Sequence, residues 1–180
     1  MKKIQNNLKL TVILALLCAI SILMGKYLAI RGGDFMRFSL ENMPILFAGI
    51  AFGPISGLIV GVVADVIGCL MVGYPINPIV TIGAGAIGLV CGIVHLILKR
   101  YSVNERLNLV ISIVSAHIIG SLIIKTIGLA TYYDTPFEIL LLWRMLNYLI
   151  VSALDGVVLY ALFRNKEIKT QIKLIKGDGK

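Results

Sequence analysis

Apolar residues fill most of this chain in long blocks, and polar residues gather in the gaps between them. The blocks run over residues 8–30, 43–52, 54–72, 77–98, 107–130 and 138–163. A helix needs about 20 apolar residues to cross a hydrocarbon core of about 30 Å, and all but one of the blocks reach that scale. The block at 43–52 is too short to cross as a straight helix, so it is expected to tilt or to be covered by its neighbours. The pattern predicts an all-α, polytopic membrane protein. It has one domain over 1–180, a bundle of six transmembrane helices, and a basic tail at 165–180. Phe52-Gly53-Pro54 separates the second and third helices, because Pro54 has no donor for a helical ladder but suits a first turn.

Six crossings put both ends of the chain on one side. Every Lys and Arg except Lys26, Arg31, Arg37, Lys125 and Arg144 then falls on that side. This bias predicts cytoplasmic N and C termini. The segments 31–42, 73–76 and 131–137 then face outside. The basic tail is expected to be solvated on the cytoplasmic side and to contact anionic lipid.

Composition agrees with a membrane bundle: 58% of the 180 residues are hydrophobic. A net charge of +8 could suit nucleic acid, but the bases lie between and beyond apolar blocks, so no nucleic-acid partner is expected. Cys18, Cys69 and Cys91 all sit in apolar runs without Cys-x-x-Cys spacing, which suggests neither a disulfide framework nor a metal site. The first bases precede an apolar run as in a signal peptide. That run is long enough to span, and no small-residue cleavage site follows, so the segment is expected to be retained.

Small residues mark close helix packing. Gly49, Gly53, Gly57 and Gly61 recur every fourth residue, as do Ala84, Gly88 and Gly92, with Gly83 and Gly85 beside them. Ala15, Cys18 and Ala19 form a similar patch on the first helix, which either packs inside the bundle or meets a partner.

Polar residues within the blocks carry the candidate chemistry. Asp65 stands deep in an apolar helix, where an ionisable group is expensive and functional by default. His117, Ser121 and Lys125 share one face at i, i+4 and i+8. Trp143, Arg144, Asn147 and Tyr148 cluster on the last helix. Asp155 is expected to partner a neighbouring polar group, and His95 to be structural. Lys125 near the outer end could simply snorkel to water.

These residues suggest an inter-helix cavity with Asp65 and Asn147 deep inside. Arg37, Lys125 and Arg144 are expected nearer the rim, and Phe35, Phe38, Tyr74 and Trp143 are expected to supply flat walls. A carboxylate can accept two hydrogen bonds from an aminopyrimidine edge, aromatics stack on a planar heterocycle, and bases meet an anionic tail. The candidate ligand-binding set is Arg37, Phe38, Asp65, Tyr74, Asn77, His117, Lys125, Trp143, Arg144 and Asn147.

No phosphate-binding Gly-x-x-x-x-Gly-Lys-Ser/Thr loop and no His-Glu-x-x-His spacing occurs. Gly53-Pro54-Ile55-Ser56-Gly57 offers a serine for which His117 could act as base, as in a rhomboid-like intramembrane protease. Pro54 stands where such a motif has its first glycine, so Ser56 reads as a packing serine.

Arg37-Phe38-Ser39, Glu41-Asn42-Met43-Pro44, Ala48-Gly49, Phe52-Gly53-Pro54, Gly57, Gly61 and Asp65 resemble the substrate-binding S components of energy-coupling factor vitamin transporters, most closely the folate-specific branch. The likeness covers nearly the whole chain, including Ala15-x-x-x-Ala19. It implies a bacterial, multi-pass cell-membrane subunit that is not an enzyme. It implies capture of folate, without a metal or cofactor, under external loops after helices one and three. It also implies a coupling protein, two ATPases that use ATP, and an S component that topples to release its ligand inward. Ala15 and Ala19 then become partner-binding positions. Riboflavin, thiamine or pantothenate would be the alternative ligand.

Overall fold

The computed structural model describes residues 2–31, 37–133 and 137–176. Helix α1 (Lys2–Ile22) runs on through a π-helical turn at Leu23–Tyr27. Two short strands, β1 (Ile30–Arg31) and β2 (Arg37–Phe38), pair antiparallel with Ile30 opposite Phe38. Then come α2 (Asn42–Phe52), α3 (Pro54–Val72) and α4 (Pro78–Arg100). Helix α5 (Glu105–Ala116) continues through a π-helical stretch at His117–Ile124 into α6 (Lys125–Tyr133). Helix α7 (Phe137–Arg164) and the short α8 (Lys166–Lys176) follow. Among the described residues the fold is all-α apart from that two-residue ladder.

Among the described residues, five segments are long and apolar enough to cross a membrane: Asn7–Tyr27, Pro54–Val72, Pro78–Arg100, Glu105–Tyr132 and Leu140–Arg164. The sixth apolar helix, α2, has 11 residues. At about 1.5 Å per residue it is about 16 Å long, half of a hydrocarbon core of about 30 Å. It is apolar on all sides and mostly buried, as a helix enclosed by others must be.

Glycines set the spacing of α2, α3 and α4. A Cβ on Gly49 would lie 2.5 Å from the Gly88 carbonyl oxygen, and one on Gly57 would lie 2.8 Å from Gly49 Cα. A Cβ on Gly88 would collide with the Gly57 backbone, and one on Gly61 with the Ala84 carbonyl. These contacts are backbone against backbone, so no rotamer change can relieve them. Gly53 does not join them. It has φ 102° and breaks the chain between α2 and α3, where Pro54 opens the next helix. We expect Gly88→Ala to destabilise the bundle by about 1–3 kcal/mol or more, the cost of overpacking a close contact. A lowered melting temperature in detergent checks this, and an unchanged one would refute the close-packing account.

The end of the bundle where α4 turns into α5 is held by polar contacts. Asn104 caps α5 by accepting from Arg106 N at 3.0 Å. Asn108 donates to His95 O at 3.2 Å, and Ser112 Oγ donates to Asn108 O at 2.7 Å. Phe47 of α2 stacks on Phe163 of α7 with ring centroids 5.2 Å apart. The tail forms α8, which has no fully buried residue and rests against α1, α2 and α7. Ile168, Ile172 and Ile175 are its half-buried residues, while Lys166, Lys169, Lys173 and Lys176 are exposed. Lys169 reaches Glu105 at 2.7 Å, an exposed pair of the kind that adds at most about 1 kcal/mol.

Candidate ligand-binding site

The opposite end of the bundle holds a cavity of about 250 Å³. Residues of α1, α3, α4, α6 and α7 wall it, and the amino end of α2 supplies its floor. That end of a helix carries a partial positive charge. Lys26, Lys125 and Arg144 bring three cations to the lining, Glu41 and Asp65 bring two carboxylates, and Tyr74, Tyr132 and Tyr148 bring rings.

Of the ten residues selected from the sequence, Asp65, Tyr74, Asn77, Lys125, Arg144 and Asn147 line this cavity. Their depths differ from expectation. Lys125, expected near the rim, is only 6% exposed. It does not snorkel. Its ammonium turns inward to Glu41 Oε1 at 3.7 Å. Asp65, expected deep, is partly exposed and accepts from Thr81 Oγ1 at 2.7 Å, which ties α3 to α4. Asn77 caps α4 by accepting from Ile79 N at 3.0 Å, and its amide nitrogen donates to Gly128 O at 2.7 Å. It therefore holds the mouth together with the same groups a ligand would use.

Of the other four, three lie elsewhere. Phe38 sits half-buried on β2, outside the cavity lining. Trp143 is 38% exposed and is also outside the lining. The side chain of Arg37, like Phe35, lies outside the described residues. His117 is buried beneath the cavity, where Nε2 meets Asp155 Oδ2 at 3.0 Å and Nδ1 meets Ser121 Oγ at 3.3 Å. Ser56, the serine picked out by the protease-like motif, is not among these partners. Ser56 donates instead to Phe52 O at 3.3 Å, at the junction of α2 and α3 away from the cavity.

Several contributors were not selected from the sequence. Lys26 approaches Cys69 Sγ at 3.7 Å and lies over the Tyr74 ring at 5.7 Å. Glu41 is anchored through its backbone: its carbonyl accepts from Ser21 Oγ at 2.6 Å and its amide donates to Ser39 Oγ at 3.1 Å. Its carboxylate fills the notch left by Gly25, where a Cβ would collide with it. Asn42, 1% exposed, keeps its Oδ1 without a hydrogen-bond partner among the described residues. Such a buried orphan calls for an explanation, and a ligand donor arriving in the cavity is one. The signal in the sequence was Glu41-Asn42 at the start of a buried helix, a costly place for polar side chains.

Arg144 extends from α7 to the π-helical stretch. Its Nη2 donates to Ser121 O at 2.9 Å and to Tyr148 Oη at 3.3 Å, and its guanidinium lies over the Tyr148 ring at 5.2 Å. Its Nε is buried without a partner in the described residues, so that donor remains for a ligand acceptor. No group of three or more His, Cys, Asp or Glu suited to a metal occurs among the described residues.

Ala15 and Ala19 are exposed on the outer side of α1, beside Val12, Leu16 and Ile20. Cys18, expected in the same patch, points the other way into the core, with its thiol 3.7 Å from Val60 O. The small-residue patch is therefore two alanines on the bundle's outer surface.

The family model described as ECF transporter, substrate-specific component, matches residues 9–169. No curated protein matches the chain. Among solved structures, FolT bound with folic acid is 20% identical over 84% of this chain and 90% of its own, with a TM-score of 0.66. The S component for biotin from an ECF-type ABC transporter is 19% identical over 89% of this chain and 94% of its own, with a TM-score of 0.68. The S component of a bacterial ECF transporter gives 17%, 88%, 97% and 0.63 in the same order. At these identities the likeness establishes the fold.

Proposed function

We propose that this chain, which belongs to the substrate-specific components of ECF transporters, captures folate in the cavity walled by α1, α3, α4, α6 and α7. Membership makes it a multi-pass, substrate-binding transport subunit and not an enzyme. The carrying observation is the mixture of groups in one small space. Two carboxylates and an unpartnered Asn42 oxygen can accept from the donors of an aminopyrimidine edge. Three tyrosines offer faces for a flat ring system, and Lys26, Lys125 and Arg144 offer positive charge to a carboxylate tail. FolT, whose structure holds folic acid, shares the fold. The biotin component shares it as closely, but biotin has no aromatic ring to stack and only one carboxylate.

The excess of Lys and Arg at the opposite end supports a cavity open to the outside of a bacterial cell membrane, with both termini in the cytoplasm. Energy then comes from a partner module, a transmembrane coupling protein with two ATPases, since the chain has no phosphate-binding loop of its own. The purified protein should bind folate without ATP or metal. Titration calorimetry with folate, biotin, riboflavin and thiamine tests this, and preferential binding of any of the other three overturns the folate assignment.

A further inference from the structure

We propose that the buried His117–Asp155 couple is a positioning device that sets the α7 wall of the cavity, although neither residue lines that cavity. The inference rests on the reading of the cavity as a ligand site. It starts from how little of α7 touches the bundle. Its buried residues over the membrane span are Asn147, Val151, Asp155 and Leu159, one narrow strip with a residue every fourth position. Tyr160, Leu162 and Phe163 pack against the core only at the end far from the cavity. Between the two ends of α7 its exposed residues, including Leu142, Met145, Leu149 and Val157, are apolar. Lipid tails are as apolar as these side chains, so that surface gives α7 no preferred rotation or height. Near the cavity, directional contacts must set the register, and Asp155 is the fully buried polar group of the strip that can do so.

Asp155 is fully buried and meets His117 Nε2 at 3.0 Å. His117 is fixed a second time by Ser121 Oγ at 3.3 Å, and its ring lies 5.3 Å from that of Tyr148. Tyr148 in turn lies under the Arg144 guanidinium, which holds Ser121 O. The couple, the tyrosine and the arginine thus form one connected seam from the middle of the bundle to the cavity. The π-helical stretch begins at His117 and carries both the imidazole and the Ser121 carbonyl that Arg144 grips. If Asp155 releases His117, α7 is free to turn, and Arg144 and Tyr148 leave the positions from which they face a ligand.

Removing one member would strand the other in a dry interior, so the fair test removes both. The full chain in detergent is titrated with folate as wild type, as His117→Leu with Asp155→Leu, and as the exchange His117→Asp with Asp155→His. Each is also made in an Arg144→Ala background. The leucine pair should stay monodisperse and bind folate about tenfold more weakly, within the range for residues sharing one network. The exchanged pair should recover most of the affinity. In the Arg144→Ala background the leucine pair should cost clearly less than tenfold, because one of the two groups it positions is gone. Wild-type affinity in the leucine pair, or an equal tenfold loss without Arg144, overturns the proposal. A wild-type protein that binds no folate counts against the folate reading alone. The seam is then judged by amide exchange in ligand-free protein. There the leucine pair must speed exchange over residues 140–151 and the exchanged pair must not, and equal exchange in all three overturns it.

Discussion

Asp65→Asn should leave a folded protein that binds folate about 1.5–3 kcal/mol more weakly, a loss of ten- to a hundredfold. The carboxylate has room for several hydrogen bonds, and Thr81 Oγ1 takes one of them at 2.7 Å. The remaining acceptor capacity borders the cavity. An amide there would turn a donor toward the donors of the aminopyrimidine edge and would lose the charge that strengthens the contact. The same residue also ties α3 to α4, so the loss could in principle come from loosened helices. Thr81→Val separates the two roles, because it cuts the tie and leaves the carboxylate. Calorimetry should show Thr81→Val close to wild type and Asp65→Asn far from it. Equal losses in the two variants would assign Asp65 to helix packing and remove it from the ligand site.

Ala15→Trp combined with Ala19→Trp should abolish uptake while leaving folate binding intact. Both alanines are exposed on the outer face of α1, one turn apart, and neither belongs to the buried core. Large side chains there meet nothing inside the bundle, so the cavity should be undisturbed. Lipid alone gives no reason to keep the strip small, whereas close approach of another helix does. A coupling protein is the partner that the family provides. Two measurements on one preparation check this: folate titration of the isolated subunit, and pull-down of the ATPase module. Unaltered assembly and uptake would make the strip a lipid-facing surface and nothing more.

The helical blocks were legible because burial in a membrane imposes long apolar runs, and those runs end at Gly, Pro or charge. The frame of α2, α3 and α4 was legible for a related reason. Glycine at four-residue spacing has few other uses in a helix, and Gly49, Gly57, Gly61 and Gly88 all meet backbone. Gly53 shares the spacing but serves as a break, since Pro54 follows it. Depth was the harder quantity. Lys125 lies close to the end of its block, and only tertiary structure shows that its side chain turns inward to Glu41. His117 shares a helix face with Lys125 in an unbroken α-helix. The π-helical stretch between them changes that face, and His117 faces Asp155 instead. Glu41 and Asn42 precede a block and read as loop in the sequence. They become lining residues only because α2 starts so far inside the bundle.

That early start has a wider meaning. Among the described residues five helices are long and apolar enough to cross the full thickness, while α2 has the length for about half of it. The cavity occupies the other half, directly beyond Asn42. A vitamin seated there stands where about two and a half further turns of helix would complete the bundle. The cargo is then a removable piece of the protein's own interior, and a loaded subunit and an empty one differ as a filled core differs from a hollow one.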